Sequence, residues 1–142
     1  STFARVIEIK GGSHNLTISN NCLIGMPNGG SILYSPETST EDSISIKNND
    51  FSNNVNSILF AGVSSSGIEI GLTISSNKCS GDIIIQKSNW PVIEKNKCAG
   101  LDIWGGTGFN VKQNHINGVV NCNQSGLAGN NALFINANQG LN

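Results

Sequence analysis

Charge is scarce in this chain. Eight Lys and Arg and nine Asp and Glu among 142 residues make up 12% of the sequence, for a formal net charge of −1. With no excess of either sign there is no electrostatic case for nucleic acid or an anionic membrane as a partner. No apolar run approaches the roughly 18 residues of a membrane-crossing helix, so no membrane insertion is expected. No signal peptide is visible, and the chain opens on Ser1 rather than Met. Its first residues, RVIEIKGGSHN, already read as a strand entering a turn, so residues 1–142 are expected to form one domain cut from a longer chain. Cys22, Cys79, Cys98 and Cys122 fit no zinc-ligand spacing, and neither a metal nor another cofactor is expected. No segment holds apolar residues at i, i+3, i+4 and i+7 over three turns, which excludes a helical solenoid.

What the chain has instead is a repeated phrase. LTISSNKCSG, from Leu72 to Gly81, returns as PVIEKNKCAG, from Pro91 to Gly100. The shared core is apolar-x-apolar-x-x-Asn. It occurs six times, ending at Asn21, Asn49, Asn77, Asn96, Asn114 and Asn138, at intervals of 28, 28, 19, 18 and 24 residues. Two positions after five of these asparagines stands an apolar residue: Leu23, Phe51, Cys79, Cys98 or Ile116. Regular recurrence along the whole length is the mark of a repeat architecture. The period within each repeat is 2 and the apolar residues are largely β-branched, so the repeats are built of strands. A full unit reads as three: a first strand such as Ile83–Ile85 or Leu101–Ile103, the apolar-x-apolar phrase, and the short segment after the Asn.

Three short strands in about 19 residues describe one turn of a coil in which each strand pairs with its copy about 4.8 Å along the axis. The asparagine would then sit at the corner between the second and third strands, where a residue tolerant of left-handed backbone angles is needed. In register, each amide would donate to the next, and losing one buried member would cost roughly 1–3 kcal/mol. Cys79 and Cys98 fall at the same inward phase of adjacent repeats, as small core fillers or as a disulfide between neighbouring rungs. Extra length collects in polar loops at Ser35–Asp42, Ala61–Gly71 and Asn123–Asn130, all expected between first and second strands.

With these residues in view the chain resembles the right-handed parallel β-helices of the pectate-lyase-like group, from Val6 to Asn138. The resemblance implies an all-β solenoid of about six coils with an internal asparagine ladder. The group includes pectate lyases, polygalacturonases, alginate epimerases and lyases, and bacteriophage tailspikes, so the fold does not fix the chemistry. The Asn-x-Asp, Asp-Asp and Gly-His-Gly segments of polygalacturonases are absent, as is the Asp-Pro-His of the epimerases. A calcium-dependent lyase needs several converging carboxylates and a nearby base, whereas Arg5, the one arginine, lies far from Asp102.

The candidate catalytic residues are Asp82 and Asp102. Counting alternation outward from Ile83, Ile85, Leu101 and Ile103 puts both on the outer face of adjacent coils, about 5 Å apart, near the spacing of a retaining glycosidase. Trp104, Asn121, Asn123 and Trp90 are the candidate substrate-binding residues, with Trp104 a platform for a sugar ring. His115, aligned with Lys97 and Lys78, makes an outward positive column that is either a solvated face or a contact for an acidic sugar. The expected function is polysaccharide recognition of the phage tailspike or receptor-binding type, with or without glycan depolymerisation. The alternatives are a secreted polysaccharide lyase, hydrolase or epimerase, and a structural stalk without a site. A tailspike-type protein implies a homotrimer, burying outward residues such as Ile24, Ile84 and Phe134, and a place in the virion tail; the enzyme reading implies secretion.

Overall fold

In the computed structural model, residues 7–10, 15–22, 30–35, 41–52, 56–60, 69–123 and 133–136 are described. All elements among them are strands, and all strand pairs are parallel. They fall into three sheets, one for each strand position of the repeat. The wide sheet runs through Ile7–Lys10, Gly30–Ser35, Asn56–Phe60, Asp82–Asn89, Leu101–Thr107 and Val120–Asn123. The middle sheet collects the apolar-x-apolar phrases at Thr17–Ser19, Ser45–Lys47, Thr73–Ser75, Val92–Glu94, Phe109–Lys112 and Leu133–Asn136. The narrow sheet holds the two-residue strands after the asparagines, Asp50–Phe51, Lys78–Cys79, Lys97–Cys98 and His115–Ile116. Each strand pairs with the equivalent strand of the next repeat, so Ile46 lies beside Ile74, Ile74 beside Ile93, and Ile93 beside Val111.

The core follows the alternation. Ile44, Ile46, Leu72, Ile74, Ile93 and Val111 of the middle sheet point inward, and Phe51, Cys79, Cys98 and Ile116 do so from the narrow sheet. Ile83, Ile85, Leu101 and Ile103 close the core from the wide sheet. Burying an Ile side chain contributes about 1.5–3 kcal/mol, and a single slip of register would turn every one of these residues outward.

The asparagines form the expected column. The Nδ2 group of Asn21 donates to Oδ1 of Asn49, Asn49 to Asn77, Asn77 to Asn96, and Asn96 to Asn114, each at 3.0 Å. The backbone N–H of each donor residue reaches the same Oδ1, also at 3.0 Å. The second Nδ2 proton of Asn49, Asn77 and Asn96 goes to the carbonyl of Ile18, Ile46 and Ile74, at 2.9–3.0 Å. Each of these three buried amides therefore makes four bonds, two given and two accepted, which is the full capacity of the group. Asn138 lies outside the described residues.

Two expectations are corrected. The left-handed residue at the corner is the one before the ladder asparagine: Asn20, Asn48, Ser76, Lys95 and Gln113 have φ between 56° and 60°. That residue turns the chain at the surface, which leaves the asparagine free to point its amide along the column. The segments taken as polar loops also end in strands. Glu41–Asp42 pairs with Glu69–Ile70, which pairs in turn with Ser88–Asn89. The strand Asp82–Asn89 is long, and at its far end Ser88–Asn89 carries the short strands Glu69–Ile70 and then Glu41–Asp42 beside it. Pairing continues beyond Ile85 but the inward phase shifts by one residue, since Ser88, three positions on, is the next buried side chain described.

Cys22, Cys79 and Cys98 carry thiols, with Cys79 and Cys98 in the core. Burial pushes the Cys98 thiol from 9.0 up to about 12, with the charge of Asp82 adding to the shift. Between those two values the unfolded chain releases a proton that the folded chain keeps. Stability should therefore fall as pH rises from 9.0 toward about 12. Chemical denaturation across that window should show this slope in the native protein and a shallower one in Cys98→Ala. Truncating the ladder should cost far more than altering its corner. Asn77→Ala should lower unfolding free energy by roughly 1–3 kcal/mol, since it orphans donors and acceptors on both neighbouring rungs. Asn48→Gly, at an exposed left-handed position, should stay within about 0.5 kcal/mol by the same measurement.

Candidate functional site

The wide sheet presents the candidate residues on its outer face. Asp102 and Trp104 alternate with the buried Leu101 and Ile103, so both point away from the core. In register, Asp102 lies between Ile84 and Asn121, and Trp104 between Gln86 and Asn123. Trp104 and Asn121 are both exposed on neighbouring strands of this sheet, and the backbone of Asn123 pairs beside Trp104.

Asp82 does not share the row of Asp102. Ile83 pairs with Leu101, which sets Asp82 level with Gly100. The carboxylate of Asp82 lies over that glycine, and a Cβ at Gly100 would come 2.7 Å from its Oδ1. The two aspartates are one rung and two residues apart, which places their Cα atoms roughly 8 Å from one another by strand geometry. The retaining-type pair at about 5 Å is therefore not formed by neighbours in register. Inward phase gives the face of a residue but not its row. On the other side of Asp82 the register against Asn56–Phe60 shifts between Asp82 and Ile83, an irregularity that re-aims the strand start.

Asp102 has a feature that no sequence pattern signals. Its Oδ1 is inaccessible to solvent and, among the described residues, has no hydrogen-bond partner. An acceptor left in this state costs about 1–3 kcal/mol, more when charged. Asp102 is half-buried between Ile84, itself half-buried, and the exposed Asn121.

Trp90 stands at a second corner, missed in the sequence, between the wide and middle sheets. Asn15, Ser43, Gly71, Trp90 and Gly108 all have positive φ there, one residue before each apolar-x-apolar phrase. A tryptophan with φ 58° is unusual, since bulky residues rarely adopt left-handed angles. Its ring explains the arrangement: it lies against the backbone of Gly108 on the next rung, in the space a side chain would fill. Trp90 as a whole remains 61% exposed, and Trp104 46%. Trp104 and Gly108 are four residues apart along one strand and its corner, about 13 Å by strand geometry. Gly105, Gly106 and Thr107 stand between them in the chain, and Asp102 precedes Trp104 by two residues.

On the narrow sheet, Asp50, Lys78, Lys97 and His115 follow one another in register. Lys78 pairs with Asp50 at 3.2 Å, and Asp50 also accepts from the hydroxyl of Ser52. The Ser52 bond, with Lys78, holds the Asp50 carboxyl below its ordinary value despite an opposing effect of burial. Among the described residues no three His, Cys, Asp or Glu come together in a metal-binding group.

The Trp90–Gly108 contact is testable on its own. Gly108→Ala should destabilise by roughly 2–4 kcal/mol, because it adds a side chain both at φ 69° and inside the indole ring. In a Trp90→Ala background the same change should cost only the backbone part, about 1–2 kcal/mol. Denaturant midpoints of the four proteins in this cycle measure the coupling.

Set beside known proteins, the chain matches no family model, no curated protein and no solved structure.

Proposed function

We propose that the chain is a right-handed parallel β-helix of about six coils that recognises polysaccharide on its wide sheet, in the manner of a phage tailspike or receptor-binding β-helix. Support for the winding comes from three parallel sheets whose members pair repeat to repeat, joined by one column of asparagine amides. Parallel strands joined by crossovers in one sheet are right-handed in nearly all proteins, which supports the hand.

The observation that carries the glycan reading is the pair of exposed indoles, Trp104 on the wide sheet and Trp90 against Gly108 at the corner of the next strand. Indole faces give sugar rings a broad, rigid, apolar platform with little loss of side-chain freedom. A span of about 13 Å accommodates a short run of sugars lying along the strand. Asn121, exposed beside Asp102, offers an amide to hydroxyl groups. A homotrimer, in the virion tail or secreted, belongs to the same proposal. Of the outward apolar residues that such packing would use, Ile84 is half-buried in the row of Asp102, and Ile24 lies outside the described residues.

One observation favours a second reading, a glycoside hydrolase or polysaccharide lyase: the unpartnered Asp102 Oδ1, two residues before Trp104. A buried carboxyl oxygen awaiting a donor is the arrangement expected of an acid or base that meets a substrate hydroxyl.

A glycan-array screen of the native protein and Trp104→Ala tests the proposal. The native protein should bind a defined class of glycan, with affinity falling about tenfold or more in Trp104→Ala. Equal binding by both proteins would remove the indole pair as the site, and no binding by the native protein would leave a structural stalk. Turnover of the bound glycan that Asp102→Asn abolishes while keeping affinity would establish the enzymatic reading.

A further inference from the structure

The corner between the narrow and wide sheets has a rule of its own. Two positions after each of the inward residues Cys79, Cys98 and Ile116 stands a glycine: Gly81, Gly100 and Gly118. Stacking accounts for it. A Cβ at Gly100 would come 2.7 Å from Oδ1 of Asp82, and one at Gly118 would come 2.6 Å from the carbonyl oxygen of Ala99 on the rung before. The position just ahead of the glycine is under no such constraint, and Ser80, Ala99 and Asn117 occupy it in turn. At the third of these rungs the pair is therefore an Asn-Gly step. The other Asn-Gly step of the sequence, Asn28–Gly29, lies outside the described residues.

Asparagine is a thermolabile residue, and most so before glycine, which has no side chain to shield its amide nitrogen. Three observations leave Asn117 in the reactive condition. Asn117 is exposed, so water reaches it. Its side-chain amide makes no hydrogen bond among the described residues, whereas the amides of Asn49, Asn77 and Asn96 are buried and fully bonded. The N–H of Gly118 is likewise unengaged among the described residues. Its neighbours are held: the Asn117 N–H donates to the Cys98 carbonyl at 3.0 Å, and the Val119 carbonyl accepts from the Leu101 N–H at 3.1 Å.

We propose that Asn117–Gly118 is a self-modification site, where the chain converts asparagine to isoaspartate and so releases the strand that follows. The Gly118 nitrogen, giving its proton to hydroxide, bonds to Cγ of Asn117. The Cγ–Nδ2 bond breaks, and the nitrogen leaves as ammonia with a proton from water. The resulting succinimide then takes up one water. Opening at the side-chain carbonyl gives aspartate; opening at the main-chain carbonyl gives isoaspartate, with the chain running through the former side chain. Water is the one reagent consumed, and nothing is oxidised or reduced.

Isoaspartate lengthens the main chain by one atom, about 1.5 Å. The insertion falls between two anchored groups, the Asn117 N–H on Cys98 and the Val119 carbonyl on Leu101. Directly after them Val120–Asn123 lies in register beside Leu101–Trp104. The longer chain cannot keep both bonds and that register, so the strand loosens. Aspartate at the same exposed position leaves the main chain unchanged and the strand in place. The site is independent of the function proposed for the indole pair.

The test is ageing of the native protein in warm, mildly alkaline buffer. Peptide mapping by mass spectrometry locates the conversions, and enzymatic methyl labelling specific for isoaspartate identifies the product. Asn117 should convert ahead of the exposed Asn20, Asn48 and Asn121, with isoaspartate among its products. Hydrogen exchange should then show amide protection lost across Val120–Asn123 in the aged protein. Asn117→Ser, which adopts the residue of an equivalent corner, should melt like the native protein and keep that protection after ageing. Fresh Asn117→Asp should keep it too, since it supplies the charge without the longer chain. Conversion of Asn117 no faster than that of Asn20, Asn48 and Asn121 would overturn the proposal. So would full protection of Val120–Asn123 in the isoaspartate form, or equal loss of protection in fresh Asn117→Asp or aged Asn117→Ser.

Discussion

A buried amide that meets its own kind one rung away is the interaction on which the rest of the structure depends. Asn49, Asn77 and Asn96 each give two hydrogen bonds and accept two, and every partner is supplied by the neighbouring rungs. A polar group inside a core is costly unless satisfied, so the column tolerates no change of spacing. That requirement fixes the register of the middle and narrow sheets on either side of the corner. It also explains why repeats of 28, 28, 19 and 18 residues share one cross-section there. Extra residues are accommodated away from that corner, both before the wide-sheet strand and between it and the middle sheet, since Ile32, Ile58 and Ile83 align although they stand 11, 9 and 6 residues after Asn21, Asn49 and Asn77.

Fixed register has consequences on the outer surface. Parallel stacking turns any residue type recurring at one phase into a row, whether amide, thiol or charge. On the narrow sheet this produces the run of Lys78, Lys97 and His115. At the second corner it produces a series of left-handed residues, one of them the indole of Trp90 resting on Gly108. The outer rows are thus by-products of the same repetition that builds the core, varied one rung at a time.

Much of this was legible in the sequence. The asparagine column followed from one phrase recurring six times, and the inward residues Ile83, Ile85, Leu101, Ile103, Cys79 and Cys98 from simple alternation. What alternation cannot give is the row. Asp82 and Asp102 share a face, yet pairing of Ile83 with Leu101 sets them two residues out of line. The residue carrying the left-handed turn was misassigned because Asn20, Asn48, Ser76, Lys95 and Gln113 have no chemistry in common. Solvent-exposed turn positions impose a backbone angle but little selection on side chain, so they leave no signature. The second corner was silent for the same reason, and the buried Asp102 oxygen depends on packing that no local pattern encodes.

The central claim is that the asparagines form one hydrogen-bonded column through parallel, in-register strands. The most direct measurement is nuclear magnetic resonance of the Asn side-chain amides, combining hydrogen exchange with through-space contacts. The Nδ2 protons of Asn49, Asn77 and Asn96 should exchange as slowly as core backbone amides and show contacts in the order 49, 77, 96, 114. Fast exchange at these side chains, or contacts that join the phrases in antiparallel order, would contradict the account.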